Sequence, residues 1–150
     1  MLRAAVALLA VLILGGGSVS SEAARCAPTR ADALGPFYKP GAPVRSRVGT
    51  GYVLTGRVAV APTCRAIAGA RIELWLANRR GDYDDAHRAT IIVGRLGAYR
   101  FQSNKPPAYE GRPPHIHVRV AAKGYSTLVT QHYPRRDQRR AVFNLILTRR

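Results

Sequence analysis

From Tyr52 onward, no stretch of the chain carries a convincing helical period. Seven short apolar-rich runs follow one another with turn residues between them. They are YVLTGRVAV (Tyr52–Val60), ARIELWLA (Ala70–Ala77), ATIIV (Ala89–Val93), AYRFQS (Ala98–Ser103), HIHVRVAA (His115–Ala122), YSTLVTQHY (Tyr125–Tyr133) and AVFNLIL (Ala141–Leu147). Runs of this length, each too short to bury a face alone, stabilise one another as sheets packed face to face. The expected fold is therefore all-β: a sandwich of about seven or eight short, mostly antiparallel strands with long loops at the site. A chain of 150 residues suits one such domain with a single core.

The first residues stand apart from that pattern. Met1–Arg3 is positively charged, Ala4–Leu14 is an unbroken apolar run, and Ser21 and Ala23 occupy the −3 and −1 positions of a cleavage site. The run is shorter than the roughly 20 residues a spanning helix needs and fits a secretory signal. We read 1–23 as a signal peptide and 24–150 as the exported domain, periplasmic or secreted, with no membrane association beyond the signal. Residues 24–51 form an extended lead, because the prolines and glycines between Cys26 and Gly51 oppose a helix. Export also decides how Cys26 and Cys64 read. In an oxidising compartment the pair is expected as a disulfide rather than a thiolate metal site. Closing that loop contributes roughly 3–4 kcal/mol in the chain-entropy model.

Charge narrows the partner classes less than its size suggests. The chain has 24 Lys+Arg against 8 Asp+Glu, a formal +16. Such a balance favours anionic partners. However, the arginines are spread along the chain and match no nucleic-acid module, so no nucleic-acid partner is expected. PRRDQRR (Pro134–Arg140) is the one cluster, read as a solvated loop, and the Arg149–Arg150 end as frayed.

Alternation along the strands points to chemistry. In ARIELWLA, Ile72, Leu74 and Leu76 share one face, while Arg71, Glu73 and Trp75 share the other. In HIHVRV, Ile116, Val118 and Val120 face the core, leaving His115, His117 and Arg119 opposite. Same-face neighbours lie about 6–7 Å apart, close enough for two imidazoles to converge on one ion. Taken alone, the pattern also fits two solvent-facing histidines. Pro106–Pro107 and Pro113–Pro114 bracket Tyr109 and Arg112, so a phenol and a guanidinium sit on a stiff loop just before the histidine strand. Further ligands remain open at this point: His87, His132, or a carboxylate from Asp82, Asp84 or Asp85 to complete a two-histidine, one-carboxylate triad.

The blocks GPFY (Gly35–Tyr38), LTGRV (Leu54–Val58), GARIELWLANRRGDY (Gly69–Tyr83), GAYRF (Gly97–Phe101), KPPAYEGRPPHIHVRV (Lys105–Val120) and TQHY (Thr130–Tyr133) occur in order along the domain. In them the chain resembles the intradiol ring-cleavage dioxygenases, the catechol and protocatechuate group. The resemblance implies one non-haem Fe(III) per chain, held by Tyr83, Tyr109, His115 and His117, with Tyr109 and His117 axial. It implies Arg112 as the active-site arginine with Gln131 beside it, and a turn at Gly35 and Pro36 that walls the substrate pocket. It implies an enzyme that cleaves a catechol-type diol with O2 to a muconate-type diacid, Tyr109 giving way to the diol. A homo-oligomer is compatible with the family. Trp75 is expected to serve as packing. The Tyr109–Arg112 loop is shorter than in well-known protocatechuate enzymes, so pocket shape does not carry over. Two other readings remain: a transthyretin-like binding module without turnover, or an exported basic protein that binds polyanions.

Overall fold

The structure, a computed structural model, describes residues 26–150. The expected signal peptide lies outside them. Nine strands run β1 (Tyr52–Val60), β2 (Arg65–Ala66), β3 (Arg71–Leu76), β4 (Arg88–Ile92), β5 (Ala98–Ser103), β6 (Ile116–Ala121), β7 (Leu128–His132), β8 (Arg140–Val142) and β9 (Leu145–Leu147). One sheet is built around β1, which pairs antiparallel with β2 and β5 and parallel with β8 and β9. The other has the order β4-β3-β6-β7 and is antiparallel throughout. The sandwich is the expected one; parallel pairing is made by the last two strands and by two single bridges from the lead, Val44 with Thr90 and Arg47 with Gln102.

Alternation explains the core. Leu54, Val58 and Phe101 from the first sheet meet Ile72, Leu74, Leu76, Ile116, Val118 and Val120 from the second, all within 1% of complete burial. The one strand expected over Ala141–Leu147 is broken, but not by a slip. Val53 lies opposite Arg140 and Val58 opposite Leu145, which is one continuous register. Between them the Phe143 carbonyl presses against Gly56, where a Cβ would lie 2.1 Å away. There Asn144 Oδ1, rather than a backbone carbonyl, accepts from the Arg57 amide at 3.1 Å. The Arg149–Arg150 end is not frayed. Arg149 bridges Tyr125 and stacks over its ring at 5.5 Å, and the Arg150 amide donates to Gly124.

The lead becomes a cover over the outer face of the second sheet, and its end crosses to β5 at the edge of the first. Asp32 bonds β7 through Val129, Arg45 bonds β4 through Thr90, and Val48 bonds β5 through Gln102. Cys26 and Cys64 form the disulfide, Cα atoms 5.2 Å apart, anchoring the start of this cover beside the turn after β1. Coverage explains why Glu73, only 4% exposed, is tolerated. Arg119 donates to it at 2.7 Å and the Tyr38 hydroxyl at 3.2 Å. An uncompensated buried carboxylate would instead cost several kcal/mol.

His132 is part of the packing and gives a pH prediction. Its Nε2 lies 2.6 Å from the Tyr52 hydroxyl, and burial lowers its pKa to about 4. The unfolded imidazole titrates near 6.5, so the unfolded chain binds the proton more readily. The stability gained by keeping His132 neutral is present above pH 6.5 and is lost as pH falls toward 4. The expected loss is on the order of 2 kcal/mol after discounting for partial exposure. Urea midpoints should therefore fall on acidification more in the wild type than in His132→Gln, which keeps a partner for Tyr52. Equal slopes would rule out this residue as the source.

Candidate functional site

One cross-strand row sets the floor of the site. Trp75 on β3, His117 on β6 and Gln131 on β7 lie side by side in register on the outer face. Trp75 is 2% exposed and stacks on the His117 ring at 4.9 Å and 5°. It fixes that imidazole by packing, as expected. His115, one residue before β6, lies with its ring 4.8 Å from that of His117. Its Nδ1 donates to the Pro113 carbonyl at 2.8 Å, which leaves the Nε2 lone pair for the site.

Two phenols close over these rings. The Tyr83 hydroxyl lies 2.8 Å from the Tyr109 hydroxyl, 3.2 Å from His115 Nε2 and 3.1 Å from His117 Nε2. The Tyr109 hydroxyl lies 3.1 Å from His115 Nε2. Tyr83 reaches this point because Asn78 organises its loop. Asn78 Oδ1 accepts from the Arg80 and Asp82 amides, and its Nδ2 donates to Asp84, which caps the 3₁₀ turn Asp85–His87. Tyr109 comes from a two-residue turn. Tyr109 and Arg112 exchange backbone hydrogen bonds, and Glu110 and Gly111 both adopt positive φ. Turns of that kind match strand twist and are compact, so YEGR holds the phenol and guanidinium together.

A third turn, GPFY, presses on both halves of the cluster. Phe37 stacks on Tyr83 at 4.3 Å and 11°, and its carbonyl accepts from the buried Arg88 guanidinium at 2.6 Å. Gly35 sits at φ +73, and a Cβ there would lie 2.9 Å from His117 Cε1. Gly35→Ala thus adds backbone strain and pushes directly on an imidazole. The expected result is a folded protein whose affinity for a metal at this cluster falls at least about tenfold. Unchanged affinity, measured by metal titration, would show that His117 gives way freely.

Arg112 is fixed by a relay. Its Nη2 donates to Gln131 Oε1 at 2.8 Å, and Gln131 Nε2 donates to the Ala33 carbonyl at 2.7 Å. The Tyr133 hydroxyl lies 3.0 Å from Gln131 Oε1 and donates to Asp32 at 2.8 Å. That bond and the Ala33 amide hold the Asp32 carboxyl below its usual range.

Burial sets the protonation of the cluster. It lowers His117 to about 4, with help from His115 and Arg112. It also lowers His115, against the opposing Pro113 carbonyl. Both imidazoles are therefore neutral with available lone pairs. Burial, with the Tyr109 hydrogen bond, pushes the Tyr83 phenol far above the usual tyrosine range. Only a strong local positive charge would ionise it, which is what a highly charged hard cation supplies. The residues that compete as ligands are engaged elsewhere. Asp82 pairs with Arg80, Asp84 with His87 and Asn78, Asp85 with Lys39, and His132 with Tyr52. Among the described residues no carboxylate joins the two histidines in a cluster, so the carboxylate triad does not assemble. Two neutral imidazoles and two phenols fit a ferric ion.

The residues expected to act together, Tyr83, Tyr109, His115, His117, Arg112 and Gln131, are brought together, with Gly35 and Pro36 in the covering turn. Sequence reasoning gave no role to Asp32, Phe37, Asn78, Arg88 or Tyr133. Phe37, Asn78 and Tyr133 stand inside the quoted blocks, which is the signal that could have found them. Asp32 and Arg88 act across more than 50 residues and carry no local signal.

No protein-family model matches the chain. The catechol 1,2-dioxygenase of Candida albicans is 27% identical over 77% of this chain and 50% of that protein. The hydroxyquinol 1,2-dioxygenase of a Rhizobium species is 31% identical over 65% and 44%. The chain thus spans about half the length of these curated relatives. Among solved structures, the dioxygenase domain of a dioxygenase–carbohydrate-binding fusion from Streptomyces sp. SirexAA-E superposes with a TM-score of 0.73 at 25% identity. That match covers 82% of this chain and 99% of that one. The intradiol ring-cleavage dioxygenase of Tetranychus urticae has the same fold at a TM-score of 0.74 and 19% identity, over 82% and 95%. In sequence and in fold, the chain is similar to the intradiol ring-cleavage dioxygenases.

Proposed function

We propose that the protein cleaves a catechol-type aromatic diol with O2, between the two hydroxylated carbons, at one ferric ion held by Tyr83, Tyr109, His115 and His117. The observation that carries this reading is the convergence of two phenols and two neutral imidazoles at 2.8–3.2 Å. The similarity supports it, since the relatives named above are 1,2-dioxygenases of catechol and hydroxyquinol.

Ferric iron, when bound, draws electron density from a chelated diol so that O2 attacks the ring. The chain's own residues supply the remainder. His115 and His117 hold their rings through Pro113 and Trp75 and stay unprotonated. Tyr109, on its two-residue turn, takes a proton from the incoming diol at Oη. Arg112, fixed by Gln131, places a guanidinium where negative charge grows on the substrate, a preorganised electrostatic device. Phe37 and Leu34, each 38% exposed, give the ring an apolar approach. The disulfide supports an oxidising compartment and hence export.

The test is a visible spectrum of iron-loaded protein before and after anaerobic catechol, followed by oxygen uptake. A tyrosinate-to-iron band that shifts with the diol, and one O2 consumed per catechol, are expected. A band without uptake would mark a binding module, and a colourless protein that binds zinc alone would overturn the centre.

A further inference from the structure

We propose that the arginine loop 134–140 is a docking surface for an anionic polymer bearing catechol units, which it presents to the diol site. The proposal rests on the diol reading of that site. It adds a partner that the site itself does not require.

Position is the first argument. The loop follows directly on Tyr133, a residue of the Arg112 relay that is 40% exposed. Arg135 and Arg136 lie two and three residues beyond it, so their backbones are within roughly 11 Å, about one Debye length at 0.1 M salt. Lys105 Nζ donates to the carbonyls of Arg135 and Arg136, stapling the loop to the segment that leads into Tyr109. The loop and the diol mouth therefore share one end of the sandwich.

Rigidity is the second. Arg135 and Gln138 bond one another through backbone and side chain, and Gln138 Oε1 also accepts from the Tyr52 hydroxyl. The run expected as a merely solvated loop is braced against the core, so the backbone that carries its charges is held in place. Arg135, Arg136, Arg139 and Arg140 are exposed, and no ion pair among the described residues engages them. Asp137 in the loop and Asp32, bonded to Tyr133 just before it, are set against these four arginines and Lys105, leaving a clear positive excess.

Shape is the third. Two grooves flank the loop. One, of about 370 Å³, is lined by Lys105, Arg136, Asp137 and Arg139; the other, of about 470 Å³, continues from the loop onto the outer face of the first sheet, between Arg100 and Arg140 over Val53 and Val142. Val142 is 74% exposed, so the second groove pairs guanidinium walls with an apolar floor. That combination suits a chain carrying carboxylates on aromatic or aliphatic units better than a uniformly hydrated polyanion. A cluster of arginines near a reaction mouth raises the local concentration of such a chain.

The experiment compares a polycarboxylate grafted with catechol amide against the free catechol amide. It uses iron-loaded wild type, a quadruple variant with Arg135, Arg136, Arg139 and Arg140 each changed to Gln, and a control with Arg65, Arg95, Lys123 and Arg150 changed to Gln at or beyond the opposite end. At low salt the wild type and the control should prefer the polymer by roughly tenfold in kcat/KM, a preference lost near 0.5 M salt. The loop variant should lose the preference while turning over the free amide within about twofold of wild type. Absence of a preference, its survival in the loop variant, or its equal loss in the control would overturn the proposal. Binding of the grafted polymer by anisotropy decides the matter independently of turnover. If the free amide is not cleaved, the diol reading fails while this arm still tests docking. Tighter binding to duplex DNA than to the polycarboxylate would also overturn the choice of partner.

Discussion

Replacing Tyr83 by phenylalanine should leave the protein folded while removing its iron-dependent colour and its turnover together. The ring itself is held by Phe37, stacked at 4.3 Å, so the substitution deletes one oxygen and little packing. That oxygen is the hub of the cluster: it alone lies within 3.2 Å of a donor atom on each of Tyr109, His115 and His117. Without metal, its loss should change stability by no more than about 1 kcal/mol, since three polar partners can rearrange around it. With metal, the consequence is far larger. Partners that merely orient ligands cost about 10–100-fold when removed, so a ligand at the hub should cost roughly 10³-fold in turnover and most of the bound iron. Tyr109→Phe, which removes a hydroxyl with fewer contacts on an exposed turn, should retain more iron than Tyr83→Phe. The measurements are iron per chain, the visible band and oxygen uptake, with Tm as the folding check. Coloured, active Tyr83→Phe protein would show that Tyr83 is not a ligand.

The strands were legible because alternation is local. Each of the first six expected runs overlaps an observed strand, and the ends differ by no more than three residues, the largest change being the late start of β7 at Leu128. The last run was misjudged for a reason no periodicity carries. Gly56 admits the Phe143 carbonyl and Asn144 replaces one backbone acceptor, so the break depends on a strand 87 residues away. The site divides the same way. Two-residue periodicity places His117 on the face opposite the core, with His115 just before the strand. Nothing in spacing selects Tyr83 and Tyr109 over His87, His132 or the nearby aspartates. Those alternatives are eliminated only by three-dimensional partners: Asp84 for His87, Tyr52 for His132 and Arg80 for Asp82. The lead was read as extended, but its service as the cover over Trp75, His117 and Gln131 rests on hydrogen bonds to β4, β5 and β7 that sequence does not display.

Arg112→Gln should separate chemistry from metal binding: turnover falls about 10²–10³-fold while iron and its colour remain, the scale expected for one charge-stabilising donor. The guanidinium touches none of the four cluster atoms through a hydrogen bond; its partners are Gln131 at 2.8 Å and Tyr133 at 3.5 Å. Its removal therefore leaves the donor set intact and takes away a fixed positive charge beside it. Arg112→Lys should recover only part of the rate, because the compact ammonium lacks a second planar N–H group to present to the substrate while one end stays bonded to Gln131. Gln131→Ala should cost less, about 10-fold, because Tyr133 and the Asp32 carboxylate still limit where the guanidinium can go. The two losses should not add. If Gln131 acts by holding Arg112, removing it from a protein that already lacks the arginine costs little, whereas independent effects would multiply. A double variant near the rate of Arg112→Gln alone is the expected outcome. A full further tenfold loss would give Gln131 a direct role with the substrate, and loss of colour in Arg112→Gln would place the arginine in support of the metal rather than the reaction.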